Sequence, residues 1–272
     1  MNYFIGTIFF YFLFINNFIL NKSTNFELTP YLNIFNNTNL NKDSNKDSNQ
    51  NSKSKYKNKK HHLRNNDIEI KQLKTNNLIS LTGIIDETTV NKFLIEFILH
   101  KNKQNLYIYI DSTGGTVEDG YKIVSEFQKY NVSCIAEKAY SMAFVIFQTC
   151  HNRFLVPHGK LMQHQISFSI TNDFERVKNY IEFINQIEKD LLNIQSSRIG
   201  MSSKKLKNKI NNEWWMFGKN AIKQNCADKI INVECNEELI DESYIINDGY
   251  YYYIYSKCPI ISHYLNKIEI VQ

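Results

Sequence analysis

The sequence predicts an α/β protein with a layered core of parallel strands, and three observations carry that prediction. From Leu78 onward, short β-branched and aromatic runs alternate with helical patterns. One strand runs straight into a glycine pair, Asp111-Ser-Thr-Gly-Gly. A long helical stripe of Val177, Ile181, Ile184, Ile187, Leu191 and Ile194 then ends at Gly200, a natural C-terminal stop. Strands alternating with helices fold as βαβ units in which helices cover the sheet.

Taken in order, Leu78-Ile-Ser-Leu-Thr-Gly opens the core as a strand. Glu87 to His100 places Val90, Phe93, Leu94, Phe97 and Ile98 at helical spacing, and Leu106 to Ile110 alternates as a strand with Tyr107 and Tyr109 on one face. A helix over Val117–Tyr130 carries Val117, Tyr121, Val124 and Phe127 on one side, and Ser133–Glu137 is the next strand. Ser141–Cys150 is an apolar, buried helix, followed by short strands at Phe154–Val156 and Leu161–His164. The long helix spans Asn172–Ile199. Its stripe exceeds what one small domain buries, which predicts an interface.

Outside this core the composition changes. Residues 3–20 are almost wholly apolar and aromatic, about the minimum for a membrane span. A signal peptide and a membrane anchor are both open readings, against a buried core helix whose only polar marks are Asn16 and Asn17. Residues 21–66 are rich in Asn, Lys and Ser and bury too little to offset chain entropy, so they read as a disordered linker. Between Asn41 and Arg64, eight Lys or Arg stand against two Asp; this local +6 accounts for the whole-chain +5 and leaves the remainder near −1. A basic linker without a basic folded surface argues against nucleic acid. The order of an apolar and then a Lys/Asn/Ser-rich stretch also resembles a two-part plastid import signal, so membrane-anchored, secretory and plastid-type locations all stand. The domain at 67–231 is followed by a Tyr-rich extension, 232–272, in which Tyr250-Tyr-Tyr-Tyr-Ile-Tyr reads as a strand.

The five cysteines form no Cys-x-x-Cys pair and no metal-like spacing with His. Cys134, Cys150 and Cys226 lie in apolar contexts and read as small buried hydrophobes. No metal site and no disulfide framework is expected.

Chemistry concentrates in two segments. Ser141 opens the apolar helix in Ala139-Tyr-Ser-Met-Ala-Phe, and His164 closes the strand in Leu161-Met-Gln-His-Gln. A hydroxyl attacks at neutral pH only when an adjacent base takes its proton, and a helix N-terminus supplies N–H groups for the resulting oxyanion. The Gly114-Gly115 pair lets backbone approach a substrate carbonyl without obstruction by Cβ. This is the layout of a serine hydrolase.

These motifs, in this order, resemble the Clp protease proteolytic subunit, ClpP: a strand, Asp-Ser-Thr-Gly-Gly, a helix, Tyr-Ser-Met-Ala, then Arg-Phe-Leu-Val-Pro and Leu-Met-Gln-His-Gln, from about Leu78 to Ile230. The resemblance implies a ClpP/crotonase-like layered core of β-β-α units with a protruding handle helix. It implies a serine endopeptidase cleaving unfolded polypeptides inside a ring of its own copies. An AAA+ unfoldase would use the ATP, since this chain carries no phosphate-binding glycine loop and needs no cofactor. Ser141 and His164 would be catalytic, Gly115 and Met142 would form the oxyanion hole, and Gly114 with Gly115 would hold the substrate strand. Tyr107 and Tyr109 match tyrosines of a docking pocket in the family, although ordinary packing explains their alternation.

The third catalytic position departs from the family. An ungapped alignment through Cys226-Ala-Asp228 puts Glu213, before Trp214-Trp215, where the family has Asp; a Glu can orient an imidazole in the same way. Asn211 and Asn212 replace a charged pair that the family uses between rings. The alternatives are a catalytically impaired scaffold subunit of a mixed ring and a membrane-associated serine peptidase acting without an unfoldase through residues 3–20. A crotonase-type thioester enzyme would need neither Ser141 nor His164, and Lys138 and Lys160 lack the surrounding pattern of the relatives that use a Ser-Lys dyad.

Overall fold

The computed structural model describes residues 68–261 and 265–270. The apolar segment 3–20 and the linker 21–66 lie outside them. Among the described residues no helix is long and apolar enough to cross a membrane, and nothing there supports a signal or membrane assignment.

Eleven strands and seven helices alternate in the described chain: β1 (Ile70–Leu73), β2 (Leu78–Ile85), α1 (Glu87–His100), β3 (Tyr107–Gly115), α2 (Val117–Phe127), β4 (Ser133–Tyr140), α3 (Met142–Thr149), β5 (Asn152–Gln163), α4 (Phe174–Ile199), α5 (Ser203–Ile210), β6 (Trp214–Phe217), α6 (Lys219–Lys223), β7 (Lys229–Ile230), β8 (Asn232–Cys235), α7 (Glu237–Asp241), β9 (Ser243–Asn247), β10 (Tyr251–Ser256) and β11 (Asn266–Glu269). The main sheet runs in the order β2-β3-β4-β5-β6. Its first four strands are parallel and β6 is antiparallel to β5. The parallel α/β core expected from the sequence is therefore present. The two short strands read around Pro157 are halves of β5: its first half pairs with Ser133–Ala136, its second with Lys138–Tyr140, and the residues between bulge out.

Helices start where side chains can cap them. The Asp86 carboxylate accepts from Thr89 N–H at α1, the Thr116 hydroxyl from Asp119 N–H at α2, and the Ser202 hydroxyl from Lys205 N–H at α5. α4 ends at Gly200, whose left-handed backbone (φ 76°) closes the last turn.

Alternation along β3 splits the core in two. Ile108 and Ile110 join Phe93, Phe97, Val124, Phe127 and the apolar side chains of α3 on the helical face. Tyr107 and Tyr109 point the other way, into a second cluster with Ile135, Ile231, Leu239 and Cys258. The C-terminal extension thus packs on the domain: β8 pairs in parallel with β1, and Leu239 and Cys258 are buried against the sheet. Tyr109 is fully buried, and its hydroxyl donates to Glu137. Burial and that carboxylate push its ionisation well above the usual tyrosine range. Packing, the ordinary reading of the tyrosine face, is what the structure shows for Tyr109.

Two readings change. Cys134 is bonded to Cys150 and Cys235 to Cys258, so four of the five cysteines form disulfides. The partners are 16 and 23 residues apart, and only the folded chain, with α3 returning along β4 and Cys258 following β10, brings them together. Cys226 is the buried free thiol, and burial pushes its pKa up to about 12, which keeps it unreactive. The apolar stripe of α4 is also divided. Ile184, Leu191 and Leu192 are buried within the domain, whereas Phe174, Ile181 and Phe183 nearer the N-terminus are exposed. Only this outer part is left for an interface.

The disulfides are directly countable. Under denaturing, non-reducing conditions the full chain is expected to titrate one thiol, that of Cys226; three or five would show one or both bridges absent. Cys150→Ala, which opens the loop around the β4–α3 turn, is expected to lower stability by about 3 kcal/mol in denaturant unfolding.

Candidate active site

Ser141 occupies the reversal between β4 and α3, with φ 54° and ψ −121°. A residue with a Cβ rarely adopts this backbone, at a cost on the order of 1–3 kcal/mol, so its surroundings must impose it. They do so from three sides. Ser141 N–H donates to Met162 O on β5 at 2.9 Å, and Ser141 O accepts from Phe144 N–H at 3.0 Å. Gly114 lies so close that a Cβ there would meet Tyr140 O at 2.5 Å, Ser141 Cβ at 2.8 Å and Met142 N at 2.9 Å. Gly115 is equally confined, since its Cβ would lie 2.0 Å from Ile85 O. Glycine is required at both positions, and Gly114 also has positive φ (87°). Ser112, buried beneath, ties the turn together: its hydroxyl donates to Gly83 O at 2.6 Å and accepts from Gly114 N–H at 3.1 Å.

The strained turn frees the serine side chain from capping. Ser141 precedes α3 without capping it, and its Oγ lies 2.8 Å from His164 Nε2. The hydroxyl donates to Nε2 when the neutral ring carries its proton on Nδ1. His164 is the first residue after β5, which runs beside β4, so the sheet itself aligns base and hydroxyl across 23 residues of chain.

Glu213 comes near the imidazole where the β5–β6 ladder ends. β6 is antiparallel to β5 with Met162 opposite Trp215 and Gln163 opposite Trp214, where the ladder ends, so His164 and Glu213 are the next residues beyond it on the two segments. Trp215 stacks edge-on against Tyr140 at 5.0 Å, and Trp214 lies against Phe144, anchoring this turn to the serine turn. Glu213 has positive φ (55°) and is exposed, and its Oε2 accepts from Trp215 Nε1 at 3.0 Å. Burial depresses the proton affinity of His164; the Glu213 charge and a backbone hydrogen bond at Gln165 oppose this, and burial prevails. The ring is therefore neutral and basic at physiological pH. His164 and Glu213 open onto one cleft with Gln165, Ile166, Phe168 and Asn211.

The remaining candidates separate. Lys138 pairs with Asp111 at 2.9 Å and is held away from a Ser-Lys dyad. His158 lies 3.4 Å from Glu137 and is largely exposed. Met142 is the first residue of α3, so its N–H is one of the four that the helix leaves without an intrahelical acceptor. Among the described residues no group of His, Cys, Asp or Glu is placed to hold a metal ion.

Sequence reasoning passed over two buried polar groups behind the site. Arg153, with 0% exposure, donates to Asp228 Oδ1 at 2.6 Å, to Asn225 O at 3.0 Å and to Gln148 on α3. Arg198 of α4 reaches the same Asp228 at 3.0 Å. Burial alone would raise the Asp228 carboxyl, but Arg153 and Arg198 hold it below the usual carboxylate range. Gln163, directly before His164, is likewise buried and bonded to Gln195 of α4. The available signal was a polar residue inside an apolar run, as in Ile146-Phe-Gln148 and Leu161-Met-Gln163.

A serine hydroxyl on a strained strand-to-helix turn, facing a neutral imidazole from the neighbouring strand, is the arrangement of a serine-type hydrolase. The Clp protease family model matches residues 60–234. Curated relatives named "ATP-dependent Clp protease proteolytic subunit" include one from Streptococcus mutans, 27% identical over 186 residues, covering 65% of this chain and 93% of the relative. One from Streptococcus uberis is 26% identical over the same shares. One from Porphyromonas gingivalis is 27% identical over 168 residues, 59% of this chain and 76% of the relative. The chain belongs to the Clp protease family, and its enzyme class is that of a serine-type peptidase.

The position of Glu213 has a kinetic signature. The ascending limb of the kcat/KM–pH profile is expected below the ordinary imidazole value of about 6.5, because burial lowers the His164 pKa. Glu213→Gln removes a charge that favours the imidazolium, so the limb should move further to acid. kcat should fall about 10–100-fold, less than the ~10⁴-fold seen on neutralising a buried orienting carboxylate, since this one is exposed. An unmoved limb with wild-type kcat would exclude Glu213 from the site.

Proposed function

We propose that this chain is a ClpP-type endopeptidase in which Ser141 is the nucleophile, His164 the general base and acid, and Glu213 the orienting carboxylate. The observation that carries it is the 2.8 Å Ser141 Oγ–His164 Nε2 contact on a turn strained to make it. The β3–β4 ladder stops at Ser112, while β2 continues along β3 to Gly115. An extended substrate therefore has an edge to join beside Gly114 and Gly115. His164 takes the Ser141 proton as Oγ attacks the scissile carbonyl. The N–H groups of Gly115 and Met142 hold the oxyanion, each worth about 3 kcal/mol in the transition state. His164 returns the proton to the leaving amine, and water, deprotonated by the same imidazole, releases the acyl group.

The names of the relatives point to a proteolytic subunit working with a separate ATP-consuming partner, so the substrate class is unfolded polypeptide delivered by an unfoldase. Assembly into a ring would bury the exposed outer part of α4, where Phe174, Val177 and Ile181 line a shallow groove. The two disulfides suit maturation outside a reducing cytosol, in keeping with the secretory and organellar readings of the N-terminal segment. A second reading, an impaired subunit within a mixed ring, is favoured by one observation: Glu213 is exposed and shared with Trp215.

A fluorophosphonate probe separates the two. The assembled protein should label at Ser141 and cleave short fluorogenic peptides, and Ser141→Ala and His164→Ala should each abolish both. An unlabelled, inactive wild type in verified rings would favour the impaired subunit. Ile181→Asp, on the exposed part of α4, should dissociate the assembly in light scattering; an unchanged mass would place the interface elsewhere.

A further inference from the structure

Behind His164 lies a chain of three side-chain and backbone amides that no other part of the site accounts for. His164 N–H donates to Gln163 Oε1 at 3.2 Å. Gln163 Nε2 donates to Gln195 Oε1 at 2.6 Å, and Gln195 Nε2 donates to the α4 backbone at Leu191 O, 2.8 Å away. Both glutamines are buried, Gln163 at 4% and Gln195 at 1% exposure. Every donor in the run points the same way, from the backbone of the base to the axis of α4.

Two neutral amides in an apolar core are not a natural route to stability. Such a pair contributes only about 1 kcal/mol net, whereas apolar side chains of the same shape in both places are close to neutral. Their position matters more. Gln163 ends β5 opposite Trp214, and the ladder that fixes the strand goes no further, so the backbone of His164 leaves the sheet with its N–H held by the Gln163 side chain. Met162, one residue earlier, receives the Ser141 N–H. The Ser141 side of the Oγ–Nε2 contact is thus fixed by the sheet, and the His164 side, just past the end of β5, is tied to α4 as well.

We propose that Gln163 and Gln195 are positioning residues that tie the backbone of His164 to α4, so that the place of this helix sets the reach of the imidazole to Ser141. The proposal rests on the catalytic reading of Ser141 and His164. A shift of the helix is passed to the base through hydrogen bonds of 2.6 and 3.2 Å. Neither glutamine touches substrate.

Methionine, similar in length to glutamine but without the amide, separates positioning from packing. Gln163→Met alone removes the donor to Gln195 Oε1 and the side-chain acceptor of the His164 N–H, Gln195→Met alone removes the acceptor of Gln163 Nε2, and both should lower the melting temperature. The double variant removes both amides and should recover most of that loss. If the pair positions the base, kcat for a short peptide and the rate of Ser141 labelling should remain about 10–100-fold below wild type in the double variant, with KM nearly unchanged, since small misplacement of a catalytic group has effects of that order. A double variant with recovered stability and wild-type kcat would overturn the proposal and leave the pair a packing feature. Loss of kcat that tracks melting temperature through all three variants would overturn it as well. A wild type that neither labels nor turns over would instead overturn the catalytic reading, and the positioning role with it; parallel assay of the wild type tells these failures apart.

Discussion

The chain reversal at Ser141 is the constraint on which the remaining structure depends. A serine at φ 54° is unfavourable in isolation and persists only because its neighbours leave no alternative. Gly114 fills the space where a side chain would collide with the turn, Ser112 pins the glycine loop to β2, and Met162 accepts the serine N–H. The Cys134–Cys150 bridge closes the strand and helix on either side. Each of these acts from a different element, so the nucleophile is positioned by the whole parallel sheet. Its small size and its missing cap bond then leave Oγ free to face the imidazole.

Charge is used sparingly around this turn. The fully buried cation, Arg153, sits at the far end of α3 from Ser141, satisfied by Asp228, Gln148 and Asn225. With Arg198 it draws β5, α3, α4 and the chain before β7 to one carboxylate. Such pairs contribute little over an apolar replacement but are costly to break singly, so they specify an arrangement more than they stabilise it. Near the catalytic contact the groups are neutral amides, a neutral imidazole and one exposed carboxylate. This is the environment in which a histidine works as a base, because nothing nearby strongly favours its charged form.

The face of the sheet opposite the helices is closed by this chain itself. Leu73, Ile231, Leu239 and Cys258 cover Tyr109 and Ile135, and the Cys235–Cys258 bridge fastens the extension that supplies two of them. The β9–β10–β11 sheet beyond it is left with Tyr244, Ile245, Ile246 and Tyr252 exposed. The extension therefore has two physical roles in one segment, an inner layer that completes a core and an outer one that does not.

Much of the architecture was legible in the sequence because it rests on local period and local chemistry. Helical spacing located α1, α2 and α4, alternation located β3, the glycine pair marked the loop under the nucleophile, and Ser141 and His164 stood in motifs specific enough to name a family. Glu213 could be placed only by aligning a motif, and the β5–β6 ladder, which ends at Gln163 and Trp214, brings it to the same end of the sheet as His164. What sequence could not decide were the relations between distant segments. The disulfides, the split of the α4 stripe into buried Ile184 and exposed Ile181, the ion pair that takes Asp111, and the Gln163–Gln195 link all join residues whose neighbours along the chain carry no record of the partner. Side-chain period tells which face of an element is apolar; only the packed fold determines what that face, or a polar residue set within it, meets.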